Sequence, residues 1–335
     1  MTDHPLLDVQ DLHTHFSTYR GTLPAVAGVS LSVRPGETLA LVGESGCGKS
    51  VTALSIMRLI RPPGRIARGR VFFDGEDLLA KPSREMRDIR GGRIAMVFQD
   101  PLSTLNPTFT IQNQIAETLR VHRVAKGTQV RQRAIELLES MGIPAPHERL
   151  HSYPHELSGG MRQRVMIAIA VSCRPDLLIA DEPTTALDVT LQAQIMDLLA
   201  RIKQERGLAV VLITHDLGIV SQFADRAAVM YAGQIVEQAR VSDLMAGPLH
   251  PYTQGLLRCV PRLGRPDLPI TPIEGSVPDL VALPPGCRFA PRCPEAMDHC
   301  RETVPPMHET PTGRLVRCHR PGATAEAGSD RRERT

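Results

Sequence analysis

The residues Gly43-Glu44-Ser45-Gly46-Cys47-Gly48-Lys49-Ser50 have the composition and spacing of a loop that cradles phosphate. They directly follow the apolar run Thr38-Leu39-Ala40-Leu41-Val42, and the segment that begins at Val51 can continue as a helix. Gly43, Gly46 and Gly48 let backbone N–H groups turn inward around phosphate oxygens, while the new helix points its positive end at the same place. Lys49 is expected to reach the β- and γ-phosphates and the Ser50 hydroxyl to ligate Mg²⁺, with Ser45, Cys47 and Val51 completing the contacts. A glycine-rich turn with an incidental lysine is the plainer alternative, and the strand–loop–helix setting weighs against it. Alkylating Cys47 is expected to block nucleotide access.

A second group of reactive residues closes the run Leu177-Leu178-Ile179-Ala180-Asp181-Glu182. A buried strand here delivers two acids at its C-terminal end, where open α/β sheets bind ligands. Side chains alternate along a strand, so the two acids should differ in role. Asp181 can hold Mg²⁺ with Ser50, while Glu182 can polarise an attacking water. His215, at the end of Ala209-Val210-Val211-Leu212-Ile213-Thr214, can hydrogen-bond a γ-phosphate as a neutral imidazole. Taken alone, each of these would be an ordinary strand-end polar residue.

The elements that must position these groups are legible as alternation. Short apolar runs with the look of strands buried on both faces are separated by helical periodicity at 131–141 and 191–205. This predicts an α/β core with crossover helices, preceded by a β-leaning layer that includes 26–33 and 69–73. The chain has 335 residues, 42% of them hydrophobic and 22% charged, as in ordinary globular proteins. Thirty-nine basic and 36 acidic residues give a net charge of only +3, without the basic stripe of a nucleic-acid binder, so no nucleic-acid partner is expected. The apolar stretch 165–173 is bounded by Arg164 and Arg174, far short of the roughly 20 residues that span a bilayer. No secretory leader is expected, and the seven cysteines are read as reduced thiols; Cys173 is expected to be buried in a helix.

Between the two acid-bearing and phosphate-cradling segments lies Leu157-Ser158-Gly159-Gly160-Met161-Arg162-Gln163. Ser158 with Gly159 and Gly160 makes a capped helix start, a second place for an anion. This segment resembles the signature of the ABC transporter ATPases, and it stands in the order that family shows. Gln99, in Met96-Val97-Phe98-Gln99-Asp100-Pro101, resembles the family's Q-loop glutamine, which also approaches Mg²⁺. Ala186-Leu187-Asp188 resembles its D-loop. The resemblance covers about residues 6–250 and implies ATP and Mg²⁺ as ligands. It also implies an α/β fold of the P-loop NTPase type: a RecA-like parallel sheet core, an N-terminal antiparallel β layer and a helical signature subdomain. The family further implies an aromatic stacking on adenine, either Phe16 or Tyr19.

What the resemblance implies about assembly is more specific. In that family the signature of one subunit completes the phosphate loop of another, so ATP is held between two chains. The segments 99–107 and 180–190 are similar to the oligopeptide, dipeptide and nickel importer branch, and Met161 is similar to the "D" subunit of peptide permeases. The implied partners are a related "F" subunit or a second copy, two membrane permease subunits and an extracytoplasmic solute-binding protein. The implied location is the cytoplasmic face of the inner membrane, peripherally attached.

Composition shifts near Pro248, which divides the chain into an ATPase domain at 1–250, a small Cys/Pro-rich extension at 251–320 and a disordered tail at 321–335. The extension carries Cys287, Cys293, Cys300 and Cys318, with gaps of five, six and seventeen residues. Four thiolates near proline turns suit either Zn²⁺ or an iron–sulfur cluster. The extension resembles that of peptide-importer ATPases, some of which carry a 4Fe–4S cluster at such cysteines, and a structural staple is the expected role.

Overall fold

Uniformly apolar runs of five or six residues become strands, and segments of 3.6-residue period become the helices that cover them. The computed structural model describes residues 4–185, 187–259 and 271–320. Ala186 of the D-loop segment and the tail at 321–335 lie outside the described residues. The strands are β1 (Leu7–Thr18), β2 (Gly21–Val33), β3 (Thr38–Val42), β4 (Gly64–Phe73), β5 (Glu76–Asp77) and β6 (Ile94–Val97). They continue with β7 (Leu177–Asp181), β8 (Ala209–Thr214), β9 (Arg226–Tyr231), β10 (Gln234–Arg240), β11 (His308–Glu309) and β12 (Leu315–Val316). No helix among the described residues is long and apolar enough to cross a membrane.

The chain forms two compact units, one of Met1–Leu7, Val33–Thr38 and Phe72–Ile213, the other of Asp8–Ser32, Leu39–Val71 and Thr214–Thr335. In the first, β6, β7 and β8 are parallel, with Val97 opposite Ala180 and Ala180 opposite Leu212. Every residue of β7 and β8 is buried. Strands covered on both faces need no polar alternation, which is why both read as continuous apolar runs. Parallel neighbours require a crossover, and the helix Val189–Arg206 supplies it. Asp188 caps that helix by accepting from Leu191 N at 2.9 Å, and Gly207 ends it at φ 64°.

The same unit holds a group of helices, Ile111–Val121, Gln129–Ser140 and Gly159–Val171, which pack on one another. Ile111, Ile115 and Leu119 bury one stripe at helical spacing. Cys173 departs from expectation: the last of these helices stops at Val171, and Arg174 turns the chain at φ 55°, leaving Cys173 half-buried in the turn.

In the second unit β3 is parallel to β9, and β9, β10, β12 and β11 follow as antiparallel neighbours. β2, β1 and β4 lie side by side, the first two joined by the two-residue turn Tyr19–Arg20 that only antiparallel strands permit. Val42, Val229, Tyr231, Tyr252 and Phe289 share one buried core. Tyr231 and Tyr252 have ring centroids 4.6 Å apart, and Phe289 meets Tyr231 edge-on at 5.2 Å. Burying Phe289 is worth about 1.5–3 kcal/mol, so the segment around Cys287 and Cys293 is fixed to the same core as β3 and β9.

Candidate active site

β3 runs directly into the glycine loop, whose shape follows from what its glycines approach. A Cβ on Gly43 would stand 2.2 Å from the Met230 carbonyl oxygen, and one on Gly48 2.3 Å from that of Ala25. Both residues also have positive φ, 153° and 105°, so no L side chain fits either place. Gly46 (φ 78°) meets nothing within 4 Å and is required by conformation alone. Gly48 stands in the N-cap position of the helix Lys49–Ile56, so the helix N-terminus adjoins the loop. Ser45 and Gly46 are exposed at the tip, while Ser50 and Val51 are partly buried in the first helical turn.

Lys49 is only 5% exposed, and its Nζ donates to the carbonyl oxygens of Gly43 (2.7 Å) and Glu44 (3.0 Å). The ammonium therefore sits inside the curl of the loop, held by the backbone that shapes it. Cys47 is fully buried, and its carbonyl accepts from Gly233 N at 2.8 Å. Burial pushes its thiol pKa up. Cys47 contributes backbone rather than a reactive sulfur, and the expected alkylation finds no exposed thiol.

The acid corner lies in the other unit. Asp181 ends β7 and is buried. Glu182 follows with φ 46°, a left-handed conformation that costs a non-glycine residue on the order of 1–3 kcal/mol. Its N–H donates to Ile213 O at 2.9 Å, which fixes the turn. Its Oε2 accepts from Gln99 Nε2 at 3.1 Å and from Thr185 Oγ1 at 2.8 Å. Gln99 and Glu182, singled out separately in the sequence, are thus brought into one hydrogen-bonded group. Thr185 was missed; its only signal was a hydroxyl three residues beyond the acid.

Ser158 caps the signature helix, accepting from Met161 N at 3.3 Å, with Ser158 and Gly159 exposed and Gly160 buried against Leu191. The signature segment reaches the acid strand through Gln163, whose Nε2 donates to Pro183 O at 2.6 Å. His215 is exposed one residue beyond β8, and Asp216 beside it caps the next helix through Gly218 N at 2.7 Å. Of the two aromatics, Tyr19 is 98% exposed in its turn, whereas Phe16 is half-buried and its ring covers Gly64.

Cys287, Cys293, Cys300 and Cys318 line one cavity together with His250 and Phe289. Burial raises the thiol pKa values of Cys287 and Cys318 and pushes Cys293 up to about 11. Among the described residues no group of three or more His, Cys, Asp or Glu side chains is placed to hold a metal ion. The expected metal centre is therefore not formed as such, although its four thiols gather where the sequence placed them.

Residues 26–185 match the ABC transporter family, and residues 236–300 match the oligopeptide/dipeptide transporter C-terminal region. The dipeptide transport ATP-binding protein DppD of Bacillus subtilis (strain 168) is 51% identical over 314 residues, covering 93% of this chain and 94% of that one. This chain belongs to the ABC transporter ATP-binding proteins. The oligopeptide transport ATP-binding protein AppD of the same organism is also 51% identical, over 93% of this chain and 96% of its own. A dimeric ATP-binding cassette, MJ0796 bound to ADP and phosphate in a post-hydrolysis state, shares the fold with a TM-score of 0.64 and 28% identity. It is matched over 98% of its length and covers 70% of this chain. Membership fixes the fold as that of an ABC ATPase with a P-loop, and the activity as ATP hydrolysis in a transporter subunit.

Proposed function

We propose that this cassette binds magnesium-bound ATP and hydrolyses it to drive import of short peptides through two membrane permease subunits. The observation that carries the chemical part is the acid corner, where Gln99 and Thr185 both hold the Glu182 carboxylate. A carboxylate held by two donors is oriented towards a water, from which it can accept a proton. Lys49 and the loop N–H groups bind the β- and γ-phosphates, Ser50 and Asp181 take the magnesium that accompanies ATP, and His215 contacts the γ-phosphate. Tyr19 stacks on adenine. Ser158 to Gly160 act on the nucleotide held by a second ATPase subunit, either an "F"-type relative or another copy of this chain.

Peptide as the solute is supported by the match of residues 236–300 and by the names of the relatives. With it come attachment to the cytoplasmic face of the inner membrane, a solute-binding protein outside, and residues 251–320 as an extension particular to this branch. The test is reconstitution of the transporter in vesicles. Lys49→Ala should abolish ATP-dependent peptide uptake and nucleotide affinity together. Full uptake by that variant would end the assignment.

The cysteine cavity carries a finer reading. Zn²⁺ held by four thiolates is the alternative to a cluster at these cysteines. Cys287, Cys293, Cys300 and Cys318 would hold an iron–sulfur cluster, which would supply a cross-link between segments of the extension. Their gathering on one cavity supports this. Anaerobically purified protein should contain iron and absorb near 400 nm; colourless, iron-free protein in which Cys287, Cys293, Cys300 and Cys318 all titrate as free thiols would exclude it.

A further inference from the structure

Arg292 lies in the C-terminal extension, far from the glycine loop in sequence, yet its guanidinium grips a residue of that loop. Its Nη1 and Nη2 donate to the Glu44 carboxylate at 2.7 and 3.0 Å, a two-pronged pair in which the arginine is 4% exposed and the glutamate 31%. Its Nε donates to Glu274 O at 2.8 Å and its Nη2 to Ile273 O at 3.2 Å, so the guanidinium is fixed from behind by its own segment. The same group lies 5.8 Å from the Tyr231 ring centre. The Glu44 peptide is held as well: its N–H donates to the Tyr252 hydroxyl at 2.9 Å, and its carbonyl accepts from Lys49.

Glu44 is out of keeping with its place. It puts a negative side chain in a loop whose other features attract phosphate: a helix N-terminus and Lys49. We propose that Arg292 is a positioning residue for nucleotide binding, neutralising the Glu44 carboxylate and holding it out of the phosphate cradle. The extension is then part of the nucleotide site's construction, and this rests on the reading that the loop binds ATP. A bidentate pair suits the task because a fixed fork sets both the position and the charge of its partner.

The test uses the full chain and direct titration with ATP and with ADP. Arg292→Gln should weaken both nucleotides by about tenfold and by the same factor, since an unmasked carboxylate beside the loop repels any phosphate chain. Adding Glu44→Gln should restore affinity to within about threefold, a rescue that loss of a purely structural brace would not show. The deficit of Arg292→Gln should also shrink as salt is raised. Should Arg292→Gln be too unstable to titrate, Glu44→Gln alone decides: it should bind at least as tightly as the parent, because Arg292 then offers its charge to the phosphates. Unchanged affinity in Arg292→Gln, a double variant as weak as Arg292→Gln, or weakened binding in Glu44→Gln would each overturn the proposal. Absence of nucleotide binding by the parent would instead sink the functional reading beneath it.

Discussion

The glycine loop and the acid corner both place chemical groups at the end of a fully buried strand, yet they are held by different means. The loop is shaped by exclusion: Gly43 and Gly48 stand where a Cβ would run into the carbonyls of Met230 and Ala25. The acid corner is shaped by attraction: a strained Glu182 is retained by hydrogen bonds from Gln99 and Thr185 and by its own N–H to Ile213. A shape enforced by contact with backbone cannot relax when a ligand leaves. One enforced by hydrogen bonds from the exposed Gln99 and Thr185 can change with the position of Gln99, so on the proposed function the acid corner would sense and the loop would grip.

The largest expected effect separates those tasks. Glu182→Gln keeps the shape of the side chain but removes its basicity, so steady-state hydrolysis should fall by about 10²–10⁴ while ATP affinity is retained. Gly43→Ala should instead lose binding and hydrolysis together. Nucleotide titration beside a turnover assay checks both. Equal loss of affinity in the two variants would erase the distinction drawn here.

A smaller effect lies within the loop. Gly48→Ala meets both a forbidden φ and the Ala25 carbonyl, and should destabilise the second unit by about 3 kcal/mol or more. Gly46→Ala meets only the unfavourable φ, with open space around it, and should cost about 1 kcal/mol. Denaturant unfolding of both variants measures the gap. Equal costs would mean that conformation alone, and not close approach, requires Gly48.

How much of this was legible in the sequence follows from the same contrast. β3, β7 and β8 match the expected runs almost residue for residue, because strands buried on both faces admit only apolar side chains. The loop was legible because its glycines sit within eight consecutive residues. Exclusion leaves a local trace in residue type. The pairing of Arg292 with Glu44 left none, since the partners are 248 positions apart and an arginine in a proline-rich stretch looks like any solvated charge. Thr185 was passed over for a related reason: a hydroxyl among polar loop residues acquires its role only when the backbone turns back at Glu182. Cys173 was misplaced because the apolar run 165–173 continues past the helix end, and only the left-handed Arg174 marks the stop.

The smallest effect concerns Thr185, and it decides whether the acid corner is held from one side or two. Thr185→Val preserves the β-branched shape and removes the donor to Glu182. Because the residue is exposed, water replaces part of the lost bond, and the cost should be about 1 kcal/mol rather than the 1.5–3 kcal/mol of a buried bond to a charged group. If that loss falls on the orientation of the carboxylate, kcat should drop by about three- to tenfold with ATP affinity unchanged, and Thr185→Ser should recover most of it. Gln99→Ala should do similar damage, and the double variant should be worse than either alone, since each donor partly compensates for the other. Should Thr185→Val turn over at the parent rate while Gln99→Ala does not, Gln99 alone orients Glu182. Every movement of the Gln99 segment would then be felt directly by the catalytic carboxylate.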